Sequence, residues 1–401
     1  MKFKGTIAVV AGTFFAMMLA PVRPVAQEVK SKLPHYTVTD LGTLGGAGTN
    51  SAAYGINDEG WISGSGNLTV NGPQRAFLWY GRQPLVDLGT LGGPACPGCN
   101  SEPGGPNASG EAAIFSETSN PAYEGEDFCG FGTHRQCLAA IWKNGKMKAL
   151  ANLPGGHNGQ AYGLNNQGQV IGFSETGTPD LTCSSSVAFQ ILRFAATRWE
   201  ANGEIHELHP YKDDTVAFAF GINDYGQAVG SSGLCSDTSL PPVMPAGRHA
   251  VLWERDGSAI DLGNLGGKSA NNVATGINNR GEVVGNSQSS KDGNIHPFVW
   301  TRETGIQSLS NLPGAIATVA PCCHTLNDRG EVVGLSIDPM GNPSAFVWRD
   351  HSMMDLNTLI SPGSPLYLQE ALSINDAGEI LGQGITKDGE FHAFLATPCD
   401  Q

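Results

Sequence analysis

Charge is sparse in this chain of 401 residues: Asp, Glu, Lys and Arg together make up 15%. Basic residues are the scarcer half, 23 against 37 acids, for a formal net charge of -14. A surface that wraps phosphate needs the opposite sign, which argues against nucleic acid and anionic membrane as partners. Beyond the first 26 residues there is no long apolar run, so no membrane span is expected there. No phosphate-binding Gly loop, dinucleotide fingerprint or nucleophile elbow occurs, and no cofactor is expected. Low charge combined with 54 Gly and 24 Pro excludes long helices and suits many short strands joined by turns.

The amino terminus differs from the rest. Lys2 and Lys4, an apolar run from Ile7 to Ala20 and the sequence Pro-Val-Arg-Pro-Val-Ala read as an export signal over residues 1–26. Residues 27–35 are then a short exposed tail, and the expected location is extracellular or periplasmic. All nine cysteines follow the signal. In an oxidising compartment they are free to pair, and an odd number leaves at least one over.

One stretch is written seven times. GINDEGWISG (Gly55–Gly64) returns at Gly163, Gly221, Gly276, Thr325 and Ser373, with a worn copy, GPNASGEAAI, from Gly105 to Ile114. Each is an apolar run, Asn, a polar pair, Gly and a second apolar run, which is a β-hairpin closed by Asn and Gly. The turn asparagines 57, 107, 165, 223, 278, 327 and 375 lie 48 to 58 positions apart. After each hairpin (strands A and B) come a loop, a strand of the type AFLW (strand C), a tight turn and a strand of the type DLGTLGG (strand D). Four strands per roughly 50 residues is the period of a propeller blade. The seventh unit ends at strand C, and an orphan D-type strand, Val38–Leu44, precedes the first hairpin. The expected fold is therefore an all-β, seven-bladed propeller of four-stranded blades over residues 36–399, closed by the N-terminal strand completing the last blade. The unit Ser101–Leu153 is the doubtful blade, because its strand A, SEPGGPN, holds two prolines. The Gly of each strand B, such as Gly64 and Gly285, is expected to make room for aromatics of the next blade.

The tripeptide His392–Phe394, its variants at His296–Phe298 and His249–Val251, and the DLGTLGG and GINDxGxVVG elements resemble the bacterial extracellular repeat proteins of the HAF family. The resemblance covers nearly all of the chain after the signal. It implies a secreted repeat protein and brings no activity or functional residues with it.

An up-and-down path puts the A–B and C–D turns on one face and the B–C loops and D–A links on the other. The long loops Thr118–Gln136, Thr176–Leu192 and Gly233–Gly247 make the second face the expected binding face. Tyr123, Phe128 and Phe131 are its candidate ligand contacts, since aromatic rings give large contact area at small entropic cost. Glu102, Asp213, Asp214 and Glu370 precede or open A strands and are the candidate acids if the channel mouth is catalytic. Among the cysteines, Cys129 with Cys137 and Cys183 with Cys235 are the expected disulfides. Cys96 and Cys99 form a CPGC that suits a structural bridge better than a redox pair or half a zinc site. Cys399, on the opposite face, is expected to stay unpaired. His249, His296 and His392 sit at equivalent places in separate blades, too far apart to share a metal, so no metal is expected. The expected function is a monomeric, non-catalytic module binding extracellular glycan or protein; the alternative is a polysaccharide hydrolase or lyase using the mouth carboxylates.

Overall fold

A computed structural model describes residues 35–81, 84–183, 190–237 and 246–399. The signal, nearly all of the short tail and the centres of two long loops lie outside the described residues. The rest forms seven four-stranded antiparallel sheets arranged as a β-propeller. Blade 1 runs Ser51–Ile56, Ile62–Asn67, Gln74–Trp79 and Val86–Asp87. The A strands of blades 2 to 6 are Ser101–Pro106, Gly159–Leu164, Val216–Ile222, Asn272–Ile277 and Ala317–Val319. Blade 7 is closed as the repeat count requires: the N-terminal strand His35–Gly42 pairs with strand C, Phe391–Cys399, from His35 opposite Cys399 to Gly42 opposite Ala393. Tyr36 carries this closing strand into the core, fully buried among Leu356, Leu359 and Phe394. The doubtful second unit is a complete blade, though its first hairpin loses register between Pro103 and Pro106.

The C strands are apolar on both faces because both are covered: Ala76, Phe77 and Leu78 are all at 0% exposure. The strand B glycines have a different cause from the expected one. Six of the seven A strands shift register against strand B, as between Ala53 and Gly55 or between Ala274 and Gly276. The bulge brings a strand A carbonyl within 2.3 Å (Ala52 onto Gly64) or 2.1 Å (Val273 onto Gly285) of where a Cβ would stand. Phe77 and Phe298, from strand C of the same blade, then lie over the bare glycine. The aromatics belong to the same blade, so the expectation of a neighbour's ring is corrected.

The asparagine turns do more than close hairpins. In blade 1, Asn57 Oδ1 accepts from the backbone N–H of Glu59 and Trp61, holding the loop. Its Nδ2 donates to the carbonyl of Asn107 in the next blade at 2.9 Å. The same bond links Asn107 to Asn165, Asn165 to Asn223, Asn223 to Asn278, Asn278 to Asn327, Asn327 to Asn375 and Asn375 back to Asn57, at 3.0–3.3 Å. The ring of interblade hydrogen bonds is closed. A second ring outside it runs from each following backbone N–H to the side-chain oxygen one blade on, as from Asp376 to Asp58 at 3.0 Å. It breaks once, where Asp58 faces Ala108, which has no side-chain oxygen.

Candidate functional site

Strand A is the innermost of each sheet, so its inward side chains line the axis. At the turn end the lining is an apolar belt, the residues just before each turn asparagine from Ile56 to Ile374, around a cavity of about 170 Å³. Further toward the loop face the lining divides. Blades 7, 1, 2 and 3 contribute Glu370, Tyr54, Glu102, Gln160 and Tyr162. Blades 4 to 6 contribute Phe218, Phe220, Val273 and the adjacent cysteines 322 and 323, which join Phe173 and Tyr162 in one apolar cluster. Side chains from four successive blades can meet in a single cluster only at the axis.

The polar half is electrostatically unusual. Burial pushes the Glu102 carboxyl up to about 7, with one hydrogen bond from Gln74 acting the other way. That bond is 2.8 Å long, and Gln74 also holds Ser65 Oγ at 2.8 Å. Burial alone raises Glu370 to about 7. Tyr54 feels both carboxyls, and Tyr162 feels Glu102 and Tyr54; desolvation is the larger cause, and both phenols stay protonated far above their ordinary range. Opposite them, His324 crosses from blade 6 until its Nε2 lies against Gly105 of blade 2, where an added Cβ would be 2.3 Å away. Burial lowers this imidazole to about 4, so it is uncharged at neutral pH, and Nε2 has no hydrogen-bond partner. The worn hairpin of blade 2 has a role here: its Gly105 leaves the space that His324 fills, and Gly104 lets the Tyr162 backbone of blade 3 approach.

The four sequence-derived acids separate. Glu102 and Glu370 face the channel on either side of Tyr54. Asp213 is exposed, and Asp214 is tied within blade 4 to Ser232 Oγ (2.6 Å) and His249 Nδ1 (2.8 Å). The three aromatics separate too. Tyr123 is 39% exposed and stacks on the His157 ring at 4.3 Å. Phe128 is 6% exposed, packs on Phe173, and its carbonyl accepts from Gln160, so it is an internal anchor of the loop and not a surface contact. Phe131 stacks on Phe115, which in turn touches Tyr162. The loop from Ala122 to His134 therefore folds down onto the channel wall. A buried carboxyl pair holds it there: Glu126 and Glu175 both accept from Asn158 Nδ2, at 3.1 and 3.0 Å. Desolvation first and the neighbouring Glu175 second raise Glu126 well above the carboxylate range, so the pair keeps a proton.

The expected disulfides Cys96–Cys99, Cys129–Cys137 and Cys183–Cys235 are present, with Cα atoms 5.3, 6.1 and 4.4 Å apart. Cys322 and Cys323 form a fourth, between adjacent residues, that sequence spacing did not suggest. Cys399 is free. Four disulfides fit an oxidising environment. No helix among the described residues is long and apolar enough to cross a membrane. Asp180, Cys183 and Cys235 converge, but the two sulfurs are bonded to each other and are not thiolate ligands. Tyr54, Tyr162 and His324 were not singled out as a set by sequence reasoning. The signal for them lay in reading the third residue before each turn asparagine across blades.

Neither a protein-family profile nor a curated protein matches the chain. Among solved structures, it is similar to the β-propeller domain of the Trilobed protease from Pyrococcus furiosus, described as having an open velcro topology. That match has a TM-score of 0.51 at 7% identity and covers 88% of this chain and 98% of that one. TolB from Acinetobacter baumannii matches at TM-score 0.36 and 13% identity over 88% of this chain. This chain spans 64% of TolB, less than two thirds of its length. The gluconolactonase XC5397 from Xanthomonas campestris matches at TM-score 0.39 and 10% identity, covering 91% and 94% of the two chains. Identities this low bear on the fold alone.

Proposed function

We propose that the chain is a secreted, non-catalytic binding propeller that takes an extracellular glycan or protein on its loop face. One observation carries this reading. Among the described residues nine large apolar side chains are exposed, and seven of them lie on the loop face: Val70, Tyr123, Leu181, Ile295, Ile316, Met340 and Tyr367. Tyr225 is on the turn face and Val86 on an outer strand. Exposed apolar side chains gathered on one face mark an interaction surface, whereas scattered ones need no explanation. Met340 and Leu181 are 83% and 77% exposed, so neither serves the core. The test is a glycan and protein array probed with the mature chain. Replacing Val70, Leu181 and Met340 together by Ser should abolish binding and leave the melting temperature unchanged, while Tyr225→Ser changes neither. Binding that survives the triple replacement refutes the assignment.

A second reading has its own support. Glu102 and Glu370, raised by burial to about 7, have the protonation behaviour of general acids near neutral pH. A polysaccharide hydrolase or lyase would release reducing ends, and Glu370→Gln would abolish that release. Polysaccharides bound but left intact by the wild type decide for the binding reading.

A further inference from the structure

Positive charge is concentrated at one place on a chain of formal net charge -14. Strand C of blade 2, Arg135–Lys143, turns through Asn144 and Gly145 into its outermost strand, Lys146–Ala149. The register sets Lys143 opposite Lys146 and Ile141 opposite Lys148. Side chains alternate along a strand, so these four share one face of the sheet. They line a groove of about 650 Å³, which Gly168 and Ala201 of blade 3 line as well. Among the described residues Glu111 is the one acid in that lining, and Lys143 pairs with it. Lys146 and Lys148 are exposed and make no ion pair among the described residues. Like charges set directly opposite weaken a hairpin, so folding gains nothing from this arrangement.

We propose that this edge takes up an extended acidic peptide, with carboxylates at alternate positions, as a further strand of blade 2. Leu150 N–H donates inward to the Ala139 carbonyl at 2.8 Å. By the alternation of an antiparallel ladder, the N–H groups of Met147 and Ala149 then point out from the sheet, open to another strand. Lys146 and Lys148 stand about 6.8 Å apart along the strand, the spacing of every second side chain in an extended partner. Lysine on an edge ordinarily keeps other strands away. The outer strands of the other six blades carry neither Lys nor Arg, so it is not the general guard of this ring. An acidic strand is the one that such a guard admits. An acidic glycan would match the lysines and leave the outward N–H groups unused. The groove opens at the turn end of the rim, and the inference is independent of binding on the loop face.

The probe is an acetylated and amidated heptapeptide alternating Thr and Glu. Beside it stand a peptide of the same composition with its Glu residues adjacent, one with Gln for Glu, and trigalacturonate. Calorimetry with the intact mature chain at low salt should show the alternating peptide binding at least tenfold more tightly than each of the others. At saturation it should slow hydrogen exchange at the Met147 and Ala149 amides at least fivefold by NMR. That readout uses the wild type, so a misfolded variant does not spare the proposal. Lys146→Glu combined with Lys148→Glu should weaken binding tenfold or more and leave the melting temperature unchanged. Equal affinity of the two Glu peptides reduces the site to charge attraction and overturns the added strand. Tighter binding of trigalacturonate makes the groove a glycan site and overturns it too. So does the absence of peptide binding at millimolar concentration, or a complex whose Met147 and Ala149 amides exchange as before.

Discussion

Replacing Asn278 by Asp tests what holds the blades to one another. Asn278 is 4% exposed; its Nδ2 donates to Asn327 O at 3.0 Å and to Glu282 Oε2 at 2.7 Å. Its Oδ1 accepts from the backbone of Arg280 and Glu282, both at 3.0 Å. Aspartate keeps the acceptor and loses both donations. It also sets a carboxylate against the Asn327 carbonyl and the Glu282 carboxylate. Leaving one buried acceptor unsatisfied costs about 1–3 kcal/mol, and the added repulsion brings the total to roughly 3 kcal/mol. Unfolding entropy for a domain of this length is about 0.8 kcal/mol/K, so the melting temperature should fall by about 4 °C. Asn166→Ala breaks the outer, exposed ring, where Asn166 Oδ1 accepts from the backbone N–H of Ala108 at 2.9 Å, and should cost under ~1 kcal/mol. Differential scanning calorimetry at neutral pH measures both. An Asn278→Asp shift within a degree of zero, or equal to that of Asn166→Ala, refutes the interblade role.

Further outcomes follow from other parts of the ring. Deleting residues 35–42 strips strand C of blade 7 of its outer partner and should give aggregation in light scattering; a monomer of unchanged stability would mean that the closing strand is dispensable. Gly285→Ala puts a Cβ 2.1 Å from the Val273 carbonyl and should destabilise by several kcal/mol, whereas a neutral effect in urea titration would remove the bulge argument. Glu126 keeps its proton in the folded state at pH values where the unfolded chain loses it, so folding takes up a proton there and stability should fall as pH rises above about 4.3. Glu126→Gln should flatten that fall in a melting series from pH 5 to pH 8. Ellman titration of the unreduced, denatured chain should find one thiol, Cys399.

The blades were legible because each repeats its own turn chemistry within a short window of sequence: Asn, two polar residues and Gly. Closure was legible for the same reason, since an orphan D-type strand at one end matched a missing one at the other. What crosses between blades was not legible. The partner of Asn57 Nδ2 is 50 residues away, and nothing near Asn57 distinguishes a donor to Asn107 from a donor to water. The strand B glycines invited an explanation by neighbouring rings because the bulge that presses on them lies in strand A. The inward fold of the Phe128 loop depends on Glu126 meeting Glu175, two carboxyls that sequence alone would place apart at a solvated surface. The channel acids were half legible: opening an A strand put Glu102 and Glu370 near the axis, but the same rule admitted Asp213 and Asp214, which the blade 4 link turns elsewhere.

The central claim is that ligand meets the loop face, and the one free thiol allows it to be tested by orientation. Cys399 ends strand C of blade 7 on the turn face. Biotin attached there and captured on streptavidin presents the loop face to solution; biotin on Met340→Cys, in a Cys399→Ser background, buries it. With the ligands selected by the array, the first orientation should bind and the second should lose at least tenfold in signal. Equal binding in both orientations, or binding only in the second, contradicts the account.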